Sequence, residues 1–336
     1  MTGLVIITGG LGLIGQRLVR SILNASSSNK RVTRVVLVDT SESAQTDPSI
    51  LLNQNAQVSV IRGDVGDIGL AAYLKSATAC SAQCEPLSVF HLASVMSAQG
   101  ERDFDHALRV NIDGTRSLLE TCRDVGGRPR FVFASSIAAF GGGASASDTQ
   151  KHVPQSTYGM TKACAELLVN DATRREYIDG RIVRLPTVIV RPGPPNPAST
   201  GCFSSVPKAV LQGQDFVAPI SPGIKHPCIG LASAVRGILR LHDVPEVDAA
   251  GCDRAVTLPS VSLSLHDLEQ SARKLTRDLG RQPGKVTYKP DATTEMLVRA
   301  MPSAVETSQR ARDLGLVSDS GTDQIIKEYI EDQHGG

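Results

Sequence analysis

The sequence predicts an α/β fold: a Rossmann-type doubly wound parallel sheet followed by a smaller mixed α/β C-terminal lobe. Short β-branched runs alternate with longer helical stretches through the first half of the chain. That is the pattern of strands buried on both faces and joined by crossover helices. The first run is followed at once by a glycine-rich turn, "ITGGLGLIGQRL". After Pro192 strands thin out and helical spacing dominates, which is the signature of a second, smaller lobe.

The runs "LVIIT" (4–8), "VVLVD" (35–39), "QVSVIRGD" (57–64), "SVFHLAS" (88–94), "RFVFASS" (130–136) and "GRIVRLP" (180–186) are the expected strands. Apolar spacing near 3.6 predicts helices over 12–25, 68–76, 102–125 and 157–177. The same spacing predicts helices over 203–212, 231–243, 264–278 and 321–332 in the second lobe. The expected division is residues 1–190 for dinucleotide binding and 191–336 for substrate, with parts of the two interleaved.

Composition narrows the function. The chain has 336 residues, 41% of them hydrophobic and 21% charged, with a formal net charge of +1. It can bury a sizeable core and lacks the basic footprint of a nucleic-acid binder, so small-molecule partners are expected. No apolar run approaches the roughly 20 residues of a membrane span, and no basic leader precedes "LVIITGG", which points to a cytoplasmic protein. The seven cysteines are scattered, and the nearest pair, Cys80 and Cys84, lacks further ligands for a metal, so none is expected.

Gly9, Gly12 and Gly15 sit between the first strand and the first helix. There a side chain would obstruct the tight turn, the approach of a pyrophosphate to backbone N–H groups, and helix packing. The helix N-terminus adds partial positive charge. Asp39 ends the second strand about 20 residues on, where a carboxylate can accept from both adenosine ribose hydroxyls and repel a 2′-phosphate. With Thr40, Ser41 and Glu42 following and no arginine, NAD is favoured over NADP. Asp39 read as a loop cap is the alternative. Asp64 and Val65, in "GDVGD", are placed to flank the adenine or simply to make a turn.

"STYGMTK" puts Tyr158 and Lys162 at i and i+4, on one helical face. Ser135 and Ser136 end the fifth strand, at the carboxyl edge where open α/β sheets bind ligands. Hydride transfer needs a group that moves the hydroxyl proton. A tyrosine hydroxyl titrates freely near about 10, so working near neutrality asks for roughly 4 kcal/mol of help. An adjacent ammonium has the right sign. Ser136 would bond the substrate oxygen.

In this order, "TGGLGLIG", Asp39, "GDV", "HLAS", "NIDGTRSLLETC", "SSIAAFG" and "YGMTK" resemble the extended short-chain dehydrogenases/reductases, also called the NAD-dependent epimerase/dehydratase family. The resemblance runs from Gly9 to about Arg191. It implies a catalytic set of Ser136, Tyr158 and Lys162, with Asn111 supporting a proton relay. It implies a cofactor site that adds Leu13, Ile14, Leu92, Ala93, Ser94, Asn111, Ser135, Pro186 and Val188 to the glycines, Asp39, Asp64, Val65, Tyr158 and Lys162. Ser97 and Ile137 join Ser136 and Tyr158 on the substrate side. A homodimer through the helices of Asn111 and Tyr158 is common in proteins of this kind, and Leu118, Leu119, Leu167 and Leu168 would suit either that interface or a core.

Dehydratases of the family carry an acidic pair after the catalytic hydroxyl residue. Here those positions are Ile137 and Ala138, which argues against elimination. Epimerases share the triad and stay open as an alternative. "RLPTVIVRPGPPNPAS" (184–199) resembles the matching stretch of the D-erythronate dehydrogenases. That resemblance implies oxidation of a short polyhydroxy acid to its 2-oxo acid. Arg191 would fork onto a carboxylate, and Thr187, Asn196 and Ser199 would bond hydroxyls. Arg191 as a structural ion pair is the alternative, and Pro194 and Pro197 depart from the dehydrogenase pattern.

Overall fold

The computed structural model describes residues 3–25, 32–40, 56–65, 67, 72, 76, 86–190, 199–244 and 253–334. The predicted helix over 68–76 lies almost entirely outside them.

Six parallel strands follow the predicted runs: β1 (Gly3–Thr8), β2 (Val32–Asp39), β3 (Gln57–Arg62), β4 (Leu87–His91), β5 (Arg130–Ser136) and β6 (Asp179–Leu185). They stand in the order β6-β5-β4-β1-β2-β3. The order reverses between β1 and β4, and in open α/β sheets ligands bind at the carboxyl ends of the strands flanking such a point. A seventh strand, β10 (Ala255–Thr257), returns from the second half of the chain to pair with β6.

Alternate strand residues go to opposite faces. Val5, Ile7, Val132 and Val183 enter one core with α1 (Leu13–Ala25) and α7 (Leu231–Asp243). Leu4, Ile6, Phe131, Phe133 and Ile182 enter the other, with α4 (Gly114–Val125) and α5 (Thr157–Arg174). Leu118 and Leu119 are buried there and Leu168 packs against it, whereas Leu167 is 69% exposed. Of the four leucines considered for an interface, Leu118 and Leu119 belong to the core.

The single helix expected over 102–125 is broken. It comprises α2 (Ser97–Arg102), α3 (Phe104–Leu108), a π-helical turn (Arg109–Asp113) and α4. The π turn is where the Asn111 side chain is tied to two neighbouring segments, and such turns recur at functional sites. Spacing alone does not show an inserted residue.

The smaller lobe holds β7 (Thr187–Ile189), β9 (His226–Gly230) and β11 (Val261–Leu263) as one sheet, and β8 (Phe216–Ala218) with β12 (Val286–Tyr288) as another. Helices α6 (Cys202–Leu211), α8 (Leu265–Asp278), α9 (Ala292–Arg299), α10 (Gln309–Asp313) and α11 (Thr322–His334) accompany them. Its core is built on Phe203, Leu268, Ile326 and their neighbours. Ser264 and Asp267 form a reciprocal capping box at the start of α8.

Candidate active site

The glycine turn is built as its spacing requires. Gly9 has φ +67°, and its N–H donates to the Val38 carbonyl at 2.8 Å. A Cβ on Gly15 would stand 2.4 Å from the Gly9 carbonyl oxygen, so no larger residue fits there. The Leu11 N–H donates to Asp39 Oδ2 at 2.9 Å. Asp39 therefore braces the turn from the end of β2, the loop-capping role that was the alternative to ribose binding. A bracing carboxylate keeps further acceptor capacity, so the two roles are compatible.

A cavity of about 340 Å³ opens beside this turn. Its wall takes Gly9, Gly12, Leu13, Ile14 and Gly15 from the turn, then Leu92, Ser94 and Ser97 from beyond β4. Ser135, Ser136, Tyr158 and Lys162 form the next part, and Pro186, Thr187 and Val188 lead into the smaller lobe. Together, the close-approach glycines, a positive helix end and a mostly apolar cavity fit a dinucleotide.

Several expected residues lie outside that wall. Ala93 offers its N–H to Thr8 Oγ1 at 3.3 Å. Asp64 faces Arg109 at 3.8 Å, and Val65 is buried in the core on the α4 side. Ile137 is fully buried against Phe140 and Ala146, so its side chain is packed away from a substrate. Ser199 turns its hydroxyl inward, and Thr200 lines the cavity instead. Arg191 and Asn196 fall outside the described residues.

Residues that the sequence did not single out also line the wall, among them Met96, Ser156, Leu297 and Met301. Ser156 carried a signal, since it is the N-cap of α5 and accepts from the Gly159 N–H at 3.1 Å. Leu297 and Met301 come from the far end of the chain, and no local pattern marks them.

Ser136, Tyr158 and Lys162 meet on the cavity floor. The Lys162 ammonium is buried, donates to the Ala134 carbonyl at 2.8 Å, and lies 5.7 Å from the centre of the Tyr158 ring. Burial brings Lys162 down to about 7, against the pull of the nearby Glu166 carboxylate. Tyr158 moves the other way from the sequence expectation. Burial pushes its hydroxyl up to about 12, and a hydrogen bond with Ser136 offsets only part of that. A lysine lowered in this way by burial supplies a weaker field than the full ammonium assumed from the motif.

Behind Lys162 lies a buried ion pair that the sequence did not announce. Arg184, on β6, forks onto Glu166 of α5 with contacts of 2.8 Å and 3.0 Å. The Ser135 hydroxyl also donates to Glu166. Glu166 follows Lys162 by one helical turn, so the stripe Tyr158, Lys162, Glu166 is the feature that would have revealed it.

Asn111 is fully committed elsewhere. Its Oδ1 accepts from the Val95 N–H at 2.8 Å and from Ser94 at 3.1 Å. Its Nδ2 donates to the Val95 carbonyl and to Thr161 Oγ1 at 2.9 Å. The described contacts tie it to the neighbour of Lys162 rather than to Lys162 itself. Among the described residues there is no cluster of side chains able to hold a metal ion, and no helix is long and apolar enough to cross a membrane.

The sequence pattern of the 3-beta hydroxysteroid dehydrogenase/isomerase family matches residues 6–194. The D-erythronate dehydrogenase of Cupriavidus necator is 35% identical, with 98% of each chain covered. That of Haemophilus influenzae is 31% identical, with 97% of this chain and 98% of the other covered. The crystal structure of a nucleoside-diphosphate-sugar epimerase from Agrobacterium tumefaciens superposes with a TM-score of 0.86 at 30% identity, over 100% of this chain and 96% of that one. A GalE-like L-threonine dehydrogenase from Cupriavidus necator shares the fold, with a TM-score of 0.81 at 21% identity over 98% of this chain and 99% of the other. The chain is therefore a dehydrogenase of the 3-beta hydroxysteroid dehydrogenase/isomerase and NAD-dependent epimerase/dehydratase family, the extended short-chain dehydrogenases/reductases, and it uses a nicotinamide nucleotide.

Proposed function

We propose that the protein is an NAD-dependent dehydrogenase that oxidises a secondary hydroxyl of a short polyhydroxy acid, such as D-erythronate, to the 2-oxo acid. The observation that carries this reading is the meeting of Ser136, Tyr158 and Lys162 beside the glycine turn in one cavity. Two relatives of nearly full length named D-erythronate dehydrogenase support the substrate class. NAD is preferred because Asp39 stands at the end of β2, where a 2′-phosphate would meet a carboxylate.

An oxidised nicotinamide held beside the glycine turn and Lys162 would supply the hydride acceptor and a positive charge. Tyr158 takes the hydroxyl proton, and Ser136, held by its bond to the Ala138 N–H at 3.2 Å, fixes the substrate oxygen. Lys162 stabilises the tyrosinate. With Tyr158 near 12 and Lys162 near 7 in the free protein, the reactive form is rare before the site is filled, so charge arriving with the ligands has work to do. Asn111 serves by fixing the π-helical turn against α5. In this reading residues 1–190 hold the cofactor and 191–336 the substrate, with α7 and β10 returning to the large sheet and β7 joining the smaller lobe.

The second reading is an epimerase, favoured by the epimerase name of the Agrobacterium structure. It expects nucleotide-sugar turnover with retained cofactor and no net NADH. The decisive assay is net NAD reduction across C4 hydroxy acids, L-threonine and nucleotide sugars. D-Erythronate should be turned over, with a loss of about 10³-fold in kcat for Tyr158→Phe. Turnover that survives Tyr158→Phe would remove Tyr158 from the chemistry.

A further inference from the structure

Thr187 stands on the cavity wall at the start of β7, and its hydroxyl lies 2.6 Å from His226 Nε2. His226 belongs to β9, where Cys228 is the strand partner of Thr187. Residues 226 and 228 face the same side of the sheet, so the contact is a diagonal pair across two strands. The imidazole is 1% exposed and packs against the Phe203 ring at 5.2 Å between centres. Burial takes His226 down to about 4, so at neutral pH it carries one ring proton.

Where that proton sits decides what Thr187 can do. Nδ1 has no hydrogen-bond partner among the described residues. A proton there would leave a bare N–H in the lobe's core, which folded proteins almost never permit, whereas a bare acceptor is tolerated more often. The proton therefore belongs on Nε2, which then donates to Thr187 Oγ1. A hydroxyl that accepts from a fixed donor must send its own hydrogen elsewhere. His226 is the sole side-chain partner of the Thr187 hydroxyl among the described residues, and the direction left open is the cavity.

His91 shows the same tautomer where both ring nitrogens are paired. Thr115 Oγ1 donates to the Asn111 carbonyl, so it accepts from His91 Nε2–H, and Thr8 donates to Nδ1.

We propose that His226 is a positioning residue which, as its Nε2–H tautomer, fixes the Thr187 hydroxyl as a hydrogen-bond donor aimed into the cavity, so that this point of the wall recognises an oxygen acceptor of the substrate. On the hydroxy-acid reading above, on which this assignment rests, that acceptor is a carboxylate oxygen. A wall position whose hydroxyl hydrogen is left free for the cavity suits the acid, because an ionised carboxylate only accepts.

Steady-state kinetics with D-erythronate and NAD test it on the intact chain. His226→Leu should raise KM for the acid about tenfold or more with a smaller change in kcat, and Thr187→Val should do the same. His226→Gln, whose side-chain N–H can replace the donor, should restore KM to within about threefold of the parent. The double variant His226→Leu with Thr187→Val should be no worse than either alone.

Unchanged KM in Thr187→Val, additive losses in the double variant, or failure of glutamine to rescue would each overturn the assignment. If His226→Leu does not fold, Thr187→Val and His226→Gln carry the same comparison. ¹⁵N-histidine NMR, with His226→Gln identifying the signal, reads the tautomer without any substrate, and an Nδ1–H signal would overturn the assignment. A wild-type protein that reduces no NAD with any hydroxy acid would sink the proposed substrate class, and the NMR result would then decide the tautomer independently.

Discussion

Arg181 and Arg184 lie on the same strand, β6, and both are almost wholly buried, yet they serve opposite faces of the sheet. Arg181 points to the α7 side. It donates to the Leu241, His242 and Val244 carbonyls at 2.7, 3.0 and 2.5 Å, and to Asp179 at 2.8 Å. It closes the carbonyl end of α7, where orphan acceptors and the negative end of the helix dipole both favour a cation. Arg184 points to the α5 side and forks onto Glu166, one turn from Lys162. An identical side chain at similar burial thus anchors a helix on one face and holds the Glu166 carboxylate behind Lys162 on the other. Burial of charge identifies neither role; the partner does.

Acid should produce the largest effect, and it acts on both faces, since His242 on the α7 side is also lowered by burial. On the Lys162 side, His91 is buried between Thr8 and Thr115, and burial, helped by the Lys162 charge, takes it down to about 3. A histidine whose folded value is depressed contributes stability above its unfolded value, about 6.5, and that contribution is lost as pH falls toward 3. The full loss is on the order of 5 kcal/mol. Urea midpoints should therefore fall steadily from pH 6.5 to 4, and His91→Gln should flatten that slope. An unaltered slope in the variant would mean that other groups carry the acid sensitivity.

Arg181→Met should come next. It strips the end of α7 and leaves Asp179 with fewer partners, at a cost of about 3–5 kcal/mol in urea denaturation. Turnover per folded molecule should stay within about twofold of the parent, because the change is on the anchoring face. A collapse of kcat without loss of stability would erase the contrast between the two arginines.

The smallest shift, and the most informative one, should be that of the pH profile of kcat in Glu166→Gln. Glu166 holds Lys162 up against burial, so its removal should lower Lys162 further. The break in the kcat profile that follows Lys162 should move to lower pH by about one unit, or about 1.4 kcal/mol. Arg181→Met should leave that break in place. A profile that does not move in Glu166→Gln would show that the ion pair serves packing alone.

The legible parts of the molecule share a physical cause. Strands β1, β2, β4 and β5 are largely apolar runs because both faces of the sheet are covered there, whereas the edge strand β3 is only partly buried; the glycines at 9 and 15 are required by backbone approach. Tyr158 and Lys162 were readable because helical spacing places them together. Most strands after β6 were not, since β7, β8, β10, β11 and β12 have three residues each, too few to display a period. Leu297 and Met301 reach the cavity only through tertiary packing. The upward shift of Tyr158 was invisible for a related reason: motif spacing reports which charge is near, whereas desolvation depends on the whole surround. Glu166 and Arg184 pair across 18 positions of sequence; Glu166 lies on the helical stripe of Tyr158 and Lys162, but no local pattern marks Arg184 as its partner.

The return of β10 to the sheet bears on how the chain is made. Strand β6 ends at Leu185 and its outer neighbour begins at Ala255, so during synthesis the β6 edge stands unpaired while the intervening residues emerge. An open edge of this kind invites pairing with other chains. The last parallel strand therefore acts as a late closing step: the nucleotide-binding half, although encoded first, is finished only after much of the second lobe has been translated.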